Sequence, residues 1–92
     1  MNFLHQEFEA GPDDTVEVVL DGQANVMLLD PANFENYRNG RSFRYHGGLA
    51  RYSPTRLVPP HQGRWHLAVD LGGQGGSVRA GVRVLRGMTA TG

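Results

Sequence analysis

The densest collection of groups able to engage a ligand lies in "NYRNGRSFRYHGGLARY", residues 36–52. Tyr37, Tyr45 and Tyr52 supply flat amphipathic surfaces, and Arg38, Arg41, Arg44 and Arg51 supply forked donors. Tyr and Arg are the side chains on which binding energy concentrates. No acid falls between Arg38 and Arg51, so the local field is positive on a chain whose formal net charge is zero. The chemistry this implies is non-covalent: recognition of a protein surface, of a second copy of the chain, or of a small anionic or sugar-like molecule. Tyr37, Arg41, Arg44, Tyr45, His46 and Tyr52 are the expected contact residues. The plainer account of the same segment is a twisted hairpin whose tyrosines lid the core.

The other reactive groups are less organised. His5, His46, His61 and His66 lack the spacing within one element that marks metal ligands. Asp30, Asn33 and Glu35 are hard oxygen donors that could hold calcium, but Asp30 is equally placed to cap a helical turn. "DLGGQGGSVR" lacks both the G-x-G-x-x-G and G-K-[ST] patterns of phosphate loops and reads as a hairpin turn between strands. Ser42, Ser53 and Ser77 have no nucleophile-elbow context. No catalytic residue, metal or cofactor is assigned, and the chain reads as a non-enzyme.

"RWHLAVDLGG", residues 64–73, places His66 and Asp70 four apart on one strand, hence on one face and roughly 13 Å apart, too far for a dyad. If the last strand lies alongside, Arg79, Arg83 and Glu17 join them in a ladder of opposite charges worth about 0.2 to 1 kcal/mol per pair. On this reading Trp65 is a core anchor and His66 its exposed neighbour, so that His66→Ala is nearly silent. The face is either a solvated surface or a binding face.

Composition limits the partners. Nine arginines balance nine acidic residues, and lysine is absent. Duplex nucleic acid and anionic membranes are not expected partners, since both require clustered excess positive charge. The lack of cysteine excludes disulfide staples and favours a cytoplasmic home. The first residues show no signal-peptide pattern, and no run approaches a membrane span.

Ninety-two residues suffice for one core, and the hydrophobic period says of what kind. "TVEVVL", "RWHLAVDL" and "SVRAGVRVL" alternate strictly, placing Val16, Val18, Leu20, Trp65, Leu67, Val69, Val78, Val82 and Val84 inward. "ANVMLLD" is apolar on both faces, as suits a strand covered on two sides or a segment passing between layers, and is expected to pair with the preceding strand as a hairpin over 15–30. It would add Val26 and Leu28 to the core. "FLHQEF", "RSFRYHG" and "PTRLVP" read as further short strands, the last at an edge because prolines bracket it. "DPANFENYRNG" is the one helical stretch, with Asp30 as N-cap, Pro31 at the first position and Asn39-Gly40 as stop. The fold expected is an all-β antiparallel sandwich, jelly-roll or immunoglobulin-like in layering, of about seven or eight short strands with at most one short helical turn. One domain spans 1–86, and 87–92 form a tail.

Beyond periodicity, the wording of "ANVMLLDPANFENYRNGRSFRYHGG" and "SPTRLVPPHQGRWHLAVDLGGQGGSVRAGVRVL" resembles the bacterial family known as domain of unknown function 1883, over about Phe3 to Leu85. The shared phrases are Asn-Val-x-Leu-Leu-Asp, Asn-Phe-x-x-Tyr-x-x-Gly, Tyr-x-Gly-Gly, Ser-Pro, and Gly-x-Trp-His followed by Asp-Leu-Gly-Gly. The resemblance implies a small β-sandwich, joined in some relatives to a TIR domain. It therefore implies a recognition or assembly module that binds a protein partner or itself. The competing expectation is a ligand-sensing domain for a nucleotide, glycan or other anion, with Arg44, Tyr45 and His46 as first contacts.

Overall fold

A computed structural model describes residues 3–71 and 76–87. Seven strands and one helix follow in the order β1 (Leu4–Ala10), β2 (Thr15–Leu20), β3 (Ala24–Leu29), α1 (Pro31–Arg38), β4 (His46–Ala50), β5 (Thr55–Leu57), β6 (Gly63–Asp70) and β7 (Ala80–Leu85). They form two antiparallel sheets, β1-β6-β3-β4 and β5-β2-β7. The sandwich follows from the period-two patterns, which give each strand one apolar face that must be covered. Val16, Val18 and Leu20 from β2 meet Val26 and Leu28 from β3 and Trp65, Leu67 and Val69 from β6 in a single buried cluster. Val78, Val82 and Val84 pack against its edge, half-buried. Burying each Val or Leu fully contributes about 1.5 to 3 kcal/mol, so this cluster is the main source of the fold's stability.

The hairpin expected over 15–30 does not form. β2 lies between β5 and β7, and β3 between β6 and β4, so the turn at 21–23 carries the chain from one sheet to the other. Because β3 is apolar on both faces, it occupies the interior of the larger sheet, covered on each side. β6 and β7 likewise belong to different sheets, so the glycine-rich connection is a crossover and not a hairpin turn; residues 72–75 themselves lie outside the described residues. The same holds for 88–92 of the expected tail. The strand read from "RSFRYHG" begins only at His46.

The helix starts and stops where its capping residues stand. Asp30 Oδ1 accepts the Asn33 N–H at 2.8 Å, Pro31 opens the first turn, and the Asn39 N–H returns to Glu35 O at 3.2 Å before Gly40 leaves with φ +74°. A cap of this kind contributes about 1 kcal/mol. Phe34 and Tyr37, three apart, share the buried side of α1 and press Met27, Leu29 and Ala68 on the outer face of the larger sheet. The helix thus adds a third layer on that side. No helix among the described residues is long and apolar enough to cross a membrane.

Candidate functional site

A cavity of about 640 Å³ opens where β3 hands over to α1. Its walls come from four places in the chain: Leu28 on β3, Trp65 on β6, Asp30 and Asn33 at the helix start, and Phe43, Arg44, Tyr45 and His46 on the segment leading into β4. Trp65 is 1% exposed; its Nε1–H is satisfied by His61 O at 3.1 Å, and its ring meets that of His46 edge to face at 5.9 Å. His46 pairs with Leu28 across the β3–β4 ladder, which places both on one sheet face. Asn33 orders the wall: its Oδ1 accepts the Arg44 N–H at 2.8 Å, and its Nδ2 donates to Asp30 Oδ1 at 3.0 Å. Asp30 therefore holds the helix start and the groove's acidic edge together.

The entry of β4 requires glycine. Gly47 has φ +114°, and a Cβ there would collide with Val26 O. The close approach of β4 to β3 beside His46 depends on that missing atom.

Of the expected contact residues, Arg44, Tyr45 and His46 share this groove, whereas Tyr37, Arg41 and Tyr52 do not line it. Tyr37 is 3% exposed, its ring packed edge to face on Phe43, and its hydroxyl donates to Asp70 Oδ2 at 2.5 Å. Burial first, and then the Asp70 carboxylate, push that phenol well above its ordinary value. Tyr37 is thus a core lid, the plainer of the two accounts. Arg41 Nε bonds Asn36 Oδ1 at 3.0 Å at the end of the helix, and Tyr52 is exposed beyond β4. Asp30 and Asn33, which composition alone suggested as calcium donors, are instead a cap and a groove wall. No group of three or more His, Cys, Asp or Glu among the described residues is placed to hold a metal ion.

His66 is not the exposed neighbour of Trp65 that the alternation suggests. It is 8% exposed and lies beneath α1, its ring stacked on Phe34 at 4.3 Å and 2°, and its Nδ1 lies 2.7 Å from His5 Nε2. Desolvation lowers its pKa from the ordinary 6.5. Asp70, on the same face, accepts from Tyr37 and from Asn25 Nδ2 at 3.0 Å. The expected ladder with Arg79 and Arg83 is absent because β7 pairs with β2. Arg83 instead meets Glu17 Oε1 at 2.7 Å on the smaller sheet, where Arg56 reaches Oε2 at 3.1 Å. The signal for a covered outer face was present in β3, whose two apolar faces require a layer on each side. Its neighbour β6 must share that cover.

A family model described as domain of unknown function (DUF1883) matches residues 1–88. No curated protein and no solved structure matches the chain.

Proposed function

This chain belongs to the DUF1883 family, and from that premise we propose that it is a non-enzymatic recognition module whose groove takes a small, sugar-like ligand. The observation that carries this reading is the convergence of Arg44, Tyr45 and His46 with Asp30 and Asn33 around one cavity of about 640 Å³. That volume lies within the range of small-molecule sites, and the lining pairs aromatic rings with a few fixed polar groups, as such sites do. Tyr45, 46% exposed, offers a ring face for an apolar sugar surface, while the Asp30 carboxylate and the Arg44 guanidinium offer an acceptor and donors for hydroxyls. An acid and a base in one wall favour a neutral polyhydroxylated ligand over a strongly charged one.

The test is a thermal-shift titration with neutral saccharides, uronic acids and nucleoside monophosphates, on the wild type and on Arg44→Ala and Tyr45→Ala. Stabilisation by a saccharide that grows as RT ln(1 + [L]/Kd) and is lost in both variants supports the reading. Stabilisation by the nucleotides alone would assign the groove to anions, and no shift with any probe would overturn it.

A second reading, assembly through the 37–52 surface with a protein partner or another copy of the chain, is supported by the exposure of Tyr45, Leu49 and Tyr52 within that segment. Light scattering across a hundredfold concentration range separates it, since self-association depends on protein concentration and the filling of a groove does not.

A further inference from the structure

The outer face of the larger sheet, across β1 and β6, holds two imidazoles nearly in one plane under a phenyl roof. His5 on β1 and His66 on β6 meet through Nε2 and Nδ1 at 2.7 Å, with ring planes 14° apart and centroids 5.0 Å apart. The Phe34 ring lies at 4.2 Å from one and 4.3 Å from the other, inclined by 15° and 2°. These distances place the phenyl centre above the shared N–H···N at van der Waals separation. Phe34 belongs to α1, the same short helix whose first turn supplies Asp30 and Asn33 to the groove. One side of α1 therefore rests on the histidine pair while its start sets the groove wall.

We propose that the His5–His66 pair beneath Phe34 is a proton-operated latch on α1 that, through Asn33, sets the conformation of the groove. A single hydrogen joins the two rings, so one nitrogen must be bare. When both rings are charged, two N–H groups face one another and the bond is lost. A charged His66 then needs water, and Phe34 covers it, so hydration requires α1 to lift. The charged groups around His66 act in both directions: Glu7 on β1 and Glu35 on α1 favour its protonation, whereas His5 on β1 and Arg64 on its own strand oppose it. Its partner on β3, Leu29, is fully buried and offers no compensation. Burial outweighs the two glutamates, so the latch is closed at neutrality and opens below 6.5 as His66 becomes charged. The consequence for ligand binding rests on the groove reading above; the latch itself does not.

The experiment follows ring and amide resonances by NMR through a pH titration, with no ligand present, in a His46→Gln background that removes the other imidazole near Arg44. The reporter is the Arg44 amide, held by Asn33 Oδ1 at 2.8 Å. The latch requires this amide to titrate with the midpoint of the His66 ring. It also requires both midpoints to rise together in His5→Leu, which removes the opposing charge while keeping an apolar contact for Phe34. An Arg44 amide that stays flat while His66 titrates, or that keeps its midpoint when that of His66 moves, would overturn the proposal. Because no saccharide is added, a failed ligand screen and a failed latch are separate results. If both hold, saccharide stabilisation should weaken below the His66 midpoint, and more so in His5→Leu at the same pH.

Discussion

The hydroxyl of Tyr37 donates to Asp70 Oδ2 at 2.5 Å, joining the last turns of α1 to the end of β6. This bond fixes the far end of the helix as Phe34 fixes its middle. Tyr37→Phe keeps the ring packing and removes one donor from a half-buried carboxylate that also accepts from Asn25. The expected loss is about 1 to 3 kcal/mol, read from the urea midpoint. An unchanged midpoint would show that water replaces the hydroxyl at no cost.

His66→Ala opens a void between Phe34 and the sheet and strands His5. A loss of about 2 kcal/mol or more is expected, against the near-silent change that an exposed position would give. Chemical denaturation of the two proteins side by side decides between the two placements of this face.

Acid should destabilise the fold through Glu17. Hydrogen bonding from Arg83, then its charge and the contacts of Arg56, hold this carboxyl below its ordinary 4.5 even though the residue is 4% exposed. A depressed folded value means that the stabilisation is complete above 4.5 and is lost as pH falls through the folded value. Asp14, which accepts from the Gly11 N–H, and Glu7, bonded to Arg64, are shifted the same way and add to the same acid limb. Glu17→Gln should lower stability at neutrality and flatten the dependence of the urea midpoint on pH in the acid range. An acid limb as steep as that of the wild type would remove Glu17 from the account.

Gly47→Ala should cost more than Gly40→Ala. Both residues have positive φ, but only at Gly47 does the added Cβ meet backbone, at Val26 O; at Gly40 nothing lies within 4 Å. The Gly40 change should cost about 1 kcal/mol, and the Gly47 change about 1 to 3 kcal/mol through strain and displacement of β4. Equal thermal midpoints for the two variants would mean that β4 shifts freely.

The sequence by itself determined the elements and the core. Strict alternation in β2, β6 and β7 states which residues turn inward, because a strand's side chains have a period of two whatever the strand pairs with. Val16, Val18, Trp65, Leu67 and Val69 are accordingly buried. The helix was equally legible, since Asp30, Pro31 and Asn39 act through local hydrogen bonds and fixed dihedrals that need no distant partner.

What only the tertiary structure decided is which strands are neighbours and which outward face is covered. Alternation separates two faces but does not say whether water or a helix lies on the second, and so His66 read as exposed although α1 covers it. Pairing is non-local: β2 could satisfy its ladder with β3 or with β7, and burial of both faces of β3 in the other sheet settles it. The groove has the same origin. Arg44, Tyr45 and His46 were visible as binding chemistry in one stretch of chain, but Leu28, Asp30, Asn33 and Trp65 join them only because the layers bring four separate segments to one end of the sandwich.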